Sequence, residues 1–428
     1  MWQSCLATCP YSATDSKPYS FLQSKRLSKM RTKNDKPLPH LGGLSARTFL
    51  AAHWQRKPLL IRRAFAGDVA PLNVAEIVRL ASYREAESRL VVRHGRQWSL
   101  AHGPFRKRDL PNGGNAAADA SSGTKWSLLI QDTQHFSHEA HALLAHFNFL
   151  PQMRIDDLMV SLANRGGGVG PHFDSYDVFL LQGKGRRRWQ IAAQRDLRLL
   201  PGLPLKILRR FVPEREWLLE EGDMLYLPPH VAHNGIASSD ECVTWSIGFR
   251  APSHQELREA CFDHLRDHLT IEGRHTDAGR LPVHHTAALD ESTTRALTAQ
   301  LRRGLTDARR GTILRDFIGR YFTEPKVHVA FEAPAPLRPA AFCREALARG
   351  LRLALPTRLL IDRGRNCRLY VNGEPHDIDR RDLRAWLRLA DSRYIDGDVL
   401  ASAAAMLPTL HQCFAAGFVE FAPSPTEE

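Results

Sequence analysis

Between Asp157 and Arg250 the sequence is a series of short runs that alternate in polarity and are punctuated by glycine and proline, the pattern of an all-β barrel or sandwich. In the first run Asp157, Met159 and Ser161 alternate with Leu158, Val160 and Leu162. In the last, Thr244, Ser246 and Gly248 alternate with Val243, Trp245, Ile247 and Phe249. Side chains two apart share a face of a strand, so one face is small and polar and the other apolar. The first should line a pocket and the second should pack against covering helices.

Three side chains in this region could make a metal site. His172 and Asp174, in Gly166-Gly167-Gly168-Val169-Gly170-Pro171-His172-Phe173-Asp174, are two apart and project together from an extended segment, with Phe173 turned away. His233 lies in Pro228-Pro229-His230-Val231-Ala232-His233. Two imidazoles and one carboxylate on one face of a metal leave coordination positions open, as non-haem Fe(II) oxygenases require, whereas a structural zinc site is closed by protein ligands. The glycine-rich lead-in is expected to let backbone approach a ligand. After a turn at Gly183-Lys184-Gly185, Arg187 shares its face with Trp189 and Ile191, while Arg186, Arg188 and Gln190 take the other. An inward Arg187 needs an anion, and the distal carboxylate of 2-oxoglutarate would supply one in a fork-to-fork pair. Gly166 to Gly170 is not a phosphate loop, because the Gly-Lys-Ser/Thr ending is absent.

The runs Asp156-Asp157-Leu158-Met159-Val160-Ser161, Gly-Gly-Gly-Val-Gly-Pro-His-Phe-Asp-Ser-Tyr-Asp-Val-Phe, Gly-Arg-Arg-Arg-Trp, Gly222-Asp223-Met224-Leu225-Tyr226-Leu227-Pro228-Pro229 and Ser246-Ile247-Gly248-Phe249-Arg250 resemble the Jumonji C ribosomal oxygenases. Within them the chain is most similar to the bacterial branch that hydroxylates an arginine of the sixteenth protein of the large ribosomal subunit. The resemblance implies a mainly β fold with α: a double-stranded β-helix of the cupin and Jumonji C type at 38–252, a helical dimerisation region at 253–332 and a winged-helix-like domain at 333–428. It implies His172, Asp174 and His233 as the iron ligands and catalytic centre, Arg187 and Ser161 as contacts of the co-substrate 2-oxoglutarate, and Asp157, Met159 and Tyr176 as the cradle of the target arginine. O2 would be the second co-substrate. His230 departs from the pattern, standing where the family has glycine. It puts a competing imidazole three residues before His233, and the choice between them rests on the family pattern.

The remaining sequence bounds the reading. No apolar run approaches the roughly 18 residues of a membrane-spanning helix. A formal net charge of +13 favours a polyanionic neighbourhood, including contact with ribosomal RNA, or serves solubility. Seven cysteines without a Cys-x-x-Cys pair predict free thiols in a reducing cytoplasm. Residues 1–37, rich in Ser, Lys and Arg, read as a disordered extension, and the Gly/Ala/Ser/Asn-rich loop from Pro111 to Gly123 as mobile. His135, His138, His141 and His146 fall in a run of helical periodicity, where a solvated face is preferred to a second metal site because no carboxylate or cysteine completes one. Helices are expected at 254–270, 291–303 and 312–322, with apolar positions at helical spacing (Leu257, Cys261, Leu265) suiting a homodimer or packing on the barrel. Further on, the sequence predicts helices at 340–349, 381–389 and 399–416 and strands at 358–362 and 368–371 with a turn at Asn372-Gly373. Arg363, Arg365, Arg368, Arg380, Arg381 and Arg384 suit nucleic acid or a charged protein-interaction surface.

Two other functions share these features. One keeps the fold and changes the substrate, to histidine of another ribosomal protein or, least in keeping with a bacterial chain, histone lysine. The other is a non-catalytic cupin sensor joined to a winged-helix regulator.

Overall fold

The computed structural model describes residues 36–66, 70–115, 123–270, 272–282, 287, 289–310, 313–364 and 367–423. The extension read at 1–37 lies outside these residues apart from 36 and 37, as do 116–122 of the glycine-rich loop and Arg365.

The strands of the N-terminal half are β1 (Leu59–Ile61), β2 (Ser88–His94), β3 (Gln97–His102), β4 (Lys125–Ile130), β5 (Ile155–Ala163), β6 (Val178–Lys184), β7 (Arg187–Ala192), β8 (Arg215–Leu219), β9 (Met224–Leu227), β10 (Ala232–Ala237) and β11 (Cys242–Phe249). They form an eight-stranded sheet, β1-β9-β6-β11-β5-β4-β2-β3, and a three-stranded sheet, β10-β7-β8, with antiparallel pairing throughout. The two sheets pack through Val178, Leu180, Leu225 and Leu227 on one side and Trp189, Ile191 and Leu219 on the other.

The outer face of the large sheet buries Leu158, Val160, Leu162, Trp245, Ile247 and Phe249 completely. They join a core with the helices α1 (Ala46–Ala52), α2 (Val74–Leu80) and α3 (His138–Leu144). Each of these is short and begins at a capping side chain, Ser45, Asn73 or Ser137, which accepts a hydrogen bond from the backbone three residues on. Phe49 of α1 reaches Tyr226 and Phe179 with ring centroids 5.0 and 5.5 Å apart. The opposite, polar face of β5 and β11 is turned toward a cavity between the sheets.

The C-terminal half begins with α4 (His254–His268), α5 (Glu291–Arg310) and α6 (Ile313–Thr323). It continues through α7 (Pro339–Arg349), β12 (Leu351–Leu353), β13 (Leu359–Asp362), β14 (Arg368–Val371), β15 (Glu374–Asp377), α8 (Leu383–Ser392), β16 (Tyr394–Ile395), α9 (Gly397–Ser402), α10 (Leu407–Ala415) and β17 (Val419–Phe421). Its sheets are β16-β12-β17 and the meander β13-β14-β15, around a core of Phe342, Trp386, Leu389, Leu410 and Phe414. The turn at Asn372-Gly373 joins β14 to a third strand that alternation did not mark, with φ of 49° and 87°. The helix expected over 399–416 is broken at Ala403 (φ −123°, ψ 45°), and Pro408 sits in the first turn of α10, where its missing N–H costs no helical bond. α6 lies against the meander. Asp316 accepts from Arg320 (2.7 Å) and Arg368 (3.0 Å), and Gly319 faces the ring of Tyr370.

Added volume at that contact has nowhere to go, because a Cβ on Gly319 would overlap the Tyr370 ring. Gly319→Ala is expected to destabilise the C-terminal half by about 1–3 kcal/mol, read as a lower thermal unfolding midpoint with the barrel transition unmoved. A midpoint at or above that of the parent chain would refute this packing.

Candidate metal centre

The segment between β5 and β6 is not a regular strand, yet it is fixed as firmly as one. His172 and His233 form an antiparallel bridge, with His172 N–H to His233 O at 2.9 Å and His233 N–H to His172 O at 2.8 Å. Two residues on, the His230 N–H donates to Asp174 O at 2.7 Å. The lead-in glycines support this by close approach to protein backbone. A Cβ on Gly168 or Gly167 would collide with the carbonyl oxygens of Gly235 or Trp126. Gly166 and Gly167 thereby pair with Ala237 and extend the edge of the three-stranded sheet toward His172.

One ligand atom from each of His172, Asp174 and His233 lies within 4.8 Å of the others, the one such cluster among the described residues. The imidazole rings are 4.2 Å apart at 60°, and His233 Nε2 is 3.6 Å from Asp174 Oδ2. His172 Nδ1 sits 2.9 Å from Gly170 O and His233 Nδ1 2.9 Å from Val231 O. A carbonyl accepts only, so each Nδ1 carries the proton and each Nε2 presents a lone pair. Burial, and then the neighbouring His172, pulls His233 down to about 4, which keeps it neutral at physiological pH as a ligand must be.

His230 points elsewhere. It is exposed, its ring lies 5.9 Å from that of Phe173 on the far side of the segment, and its φ of 65° is left-handed. That conformation explains why glycine suits the position.

The three residues open onto a cavity of about 380 Å³ that is also lined by Arg187, Ser161, Asp157, Met159 and Tyr176. The structure thus brings the expected ligands, the expected 2-oxoglutarate contacts and the expected substrate contacts to one cavity. Arg187 is 5% exposed, donates from Nη2 to Ser161 Oγ at 3.4 Å, and has an Nε with no hydrogen-bond partner among the described residues. A buried guanidinium with an idle donor calls for an anion. At the other end Asp157 accepts from Gln131 Nε2 at 3.2 Å, and burial raises its carboxyl to about 7. Gly248, opposite Asp157 on β11, leaves room for it, since a Cβ there would lie 2.6 Å from Asp157 Oδ1. Tyr176 is 41% exposed at the rim.

Sequence reasoning missed Gln131 and Arg89, which also line the cavity; Arg89 Nη2 donates to Gln131 Oε1 and lies 4.0 Å from Met159 Sδ. The polar run Gln131-Asp132-Thr133-Gln134 at the end of a buried strand was the available signal. Of the four helix-region histidines, His138 and His146 are exposed, and His135 and His141, with His138 at its edge, line a second cavity, of about 800 Å³, between the barrel and the C-terminal half. His135 and His141 are the two of these that are partly buried. Burial holds these two neutral, at about 4 and about 3.

Comparison with known proteins agrees with this geometry. A JmjC domain model matches residues 142–257, and a ROXA-like winged helix model matches 306–419. The ribosomal protein uL16 3-hydroxylase of Escherichia coli is 38% identical over 218 residues, 51% of this chain and 56% of that protein. A probable ribosomal oxygenase of Haemophilus influenzae is 37% identical over 217 residues, 49% and 50% of the two chains. The chain therefore spans about half the length of these curated relatives. In three dimensions the likeness is longer: an X-ray structure of E. coli YcfD superimposes with a TM-score of 0.77 at 30% identity, covering 88% of this chain and 98% of that one. The YcfD ribosomal oxygenase in complex with cobalt and 2-oxoglutarate superimposes with a TM-score of 0.75 over the same shares. With both domain models matched in order and a solved relative aligned almost from end to end, the chain belongs to the JmjC ribosomal oxygenase family.

Proposed function

We propose that the chain is an Fe(II)- and 2-oxoglutarate-dependent oxygenase that hydroxylates an arginine side chain of the large-subunit ribosomal protein uL16. The observation that carries this is the pairing, in one cavity, of an open His172–Asp174–His233 set with a buried Arg187 that has a donor to spare. Both halves fit the groups they would hold. The imidazoles present lone pairs on one side, and Arg187 offers its fork, with Ser161 beside it, to the far carboxylate of 2-oxoglutarate.

Held there, iron with 2-oxoglutarate would activate O2: 2-oxoglutarate would give two electrons as it loses CO2 and becomes succinate, taking one oxygen atom, and the other would enter a substrate C–H bond as C–OH. The chain's own residues do the rest. The carbonyls of Gly170 and Val231 hold the ligand rings in one tautomer and orientation. Val178, Leu180 and Trp189 line the same cavity and exclude water from it. Asp157 ion-pairs the target guanidinium, Tyr176 lies over it, and Met159 fills the adjacent space. A buried acid favours a cationic guest over a neutral imidazole, so arginine is preferred to histidine.

Further parts of the reading rest on separate support. α4 has no buried residue, and Phe262, Leu297 and Leu301 are 57%, 41% and 67% exposed, which suits a homodimer through the helical region at 253–332. A cytoplasmic location follows from a ribosomal substrate, and among the described residues no helix is long and apolar enough to cross a membrane. Contact with ribosomal RNA rests on the net charge alone; Arg368 and Arg381 are already engaged by Asp316, Asp377 and Asp379.

Mass spectrometry of ribosomes from cells with and without the gene should find one oxygen atom added to a uL16 arginine only when the gene is present, and its absence would remove the arginine reading. His172→Ala and Asp174→Ala should abolish peptide-stimulated succinate formation and weaken iron binding, whereas His230→Gly should leave both intact; retained turnover in either of the first two would refute the ligand set. Arg187→Ala should raise the KM for 2-oxoglutarate while sparing that for peptide. Because Asp157 binds the guanidinium only when ionised and its carboxyl is raised to about 7, kcat/KM for the peptide should fall as pH drops below about 7. A profile flat from pH 6 to 8 would refute that role.

A further inference from the structure

Asp157 stands at the front of a buried charge cluster whose cations come from outside the barrel. Behind it the turn at residues 131–134 clamps β5. Gln131 Nε2 donates to Asp157 Oδ2, Thr133 Oγ1 donates to Leu158 O at 2.6 Å, and Leu158 N–H donates to Gln134 Oε1 at 2.8 Å. The turn is itself held through Asp132, which is 1% exposed and has a left-handed φ of 52°. Lys326 Nζ lies 3.0 and 3.2 Å from its two oxygens and 3.4 Å from Asp156 Oδ1, and His328 Nε2 is 3.1 Å from Asp132 Oδ2. Both residues belong to the connection between α6 and α7. Arg358, at the start of β13, donates to Asp156 O at 2.8 Å and lies 3.9 Å from Asp156 Oδ1.

We propose that Lys326 and Arg358 are positioning residues for the guanidinium subsite: by compensating Asp132 and Asp156 they leave Asp157 free to carry its own negative charge, so that the C-terminal half sets how tightly the active site takes an arginine side chain. This rests on the proposed function and adds its control element.

The charge count gives the reason. Three carboxylates, Asp132, Asp156 and Asp157, are crowded around the cations Lys326 and Arg358, with the imidazole of His328 also on Asp132. Asp132 and Asp156 have those cations in contact, whereas Asp157 has Gln131 as its hydrogen-bond partner. If either cation is lost, the proton needed to relieve repulsion goes to Asp157. Further groups around the cluster are Tyr176 at the rim, Arg89 behind Gln131, and the imidazoles of His135 and His328 about Asp132; of these only His328 comes from the C-terminal half. Lys326 and Arg358 both favour the ionised acid, while burial, Asp132 and Asp156 oppose it.

The ionisation of Asp157 can be followed in the full chain by the infrared carbonyl stretch of its protonated form, assigned by difference against Asp157→Asn. In Lys326→Met and in Arg358→Met the titration midpoint should move up by about one pH unit. The KM for a uL16 peptide at neutral pH should rise by up to about tenfold, with the KM for 2-oxoglutarate unmoved. Lys326→Arg should restore both readings. If Lys326→Met unfolds because Asp132 is stranded, Lys326→Met combined with Asp132→Asn removes the pair as neutral groups and should return the midpoint toward that of the parent. A midpoint that stays put in folded Lys326→Met and Arg358→Met, or a 2-oxoglutarate KM that rises with the peptide KM, would overturn the proposal. Failure of the parent chain to turn over any uL16 peptide would instead sink the arginine reading, and the infrared titration would still decide the coupling.

Discussion

Everything at the centre of this molecule depends on two backbone hydrogen bonds, those that pair His172 with His233. Side chains that share a metal must be placed to within a few tenths of an ångström, and long side chains on separate loops lose that placement to rotamer freedom. Here the two imidazoles are opposite members of one antiparallel bridge, so their separation is set by sheet geometry. Each ring is then held by a carbonyl two residues before it, Gly170 for His172 and Val231 for His233. The same local arrangement is used twice, once on each side of the bridge.

The bridge is sustained by packing on both sides. Asp177, completely buried, follows shortly after Asp174 and accepts from Tyr226 Oη at 2.6 Å and from Gln55 Nε2 at 2.9 Å. Burial and the Asp177 carboxylate push the Tyr226 phenol well above its ordinary range, so it remains a donor at any physiological pH. On the other side Gly235 admits the Trp189 ring directly beneath β10, where a Cβ would lie 2.6 Å from it. That ring lies beside His233 with centroids 5.8 Å apart. The ligand segment is therefore gripped between a polar anchor and an aromatic floor, although it has no regular secondary structure itself.

Charge is segregated along the cavity. Arg187 at one end and Asp157 at the other are both buried, and they meet opposite demands: one takes an anion, the other a cation. Between them lie the His172–Asp174–His233 set and small polar groups of β5 and β11. Such a cavity can sort guests by sign before shape enters, an anion toward Arg187 and a cation toward Asp157. Strand parity achieves this, because Asp157 and Ser161 share one strand and one face while Arg187 reaches in from the opposite sheet.

The sequence by itself determined the rolled sheet, the face of each strand and the polarity of the pocket, because these follow from period-two alternation and from where glycine and proline interrupt it. It also marked His172, Asp174 and Arg187, since each is defined by its offset within a single extended run. What it left open was everything that depends on two distant segments meeting. Nothing local distinguishes His233 from His230; the structure does, because His230 takes a left-handed turn and faces Phe173 whereas His233 is the bridge partner of His172. The glycines of the lead-in likewise make room for neighbouring strands, which alternation along one strand does not reveal. Lys326, His328 and Arg358 lie well over a hundred residues from Asp132 and Asp157, and only the tertiary fold brings them together. A charge far along the chain has no local signature, and its partner is chosen by how the C-terminal half docks on the barrel.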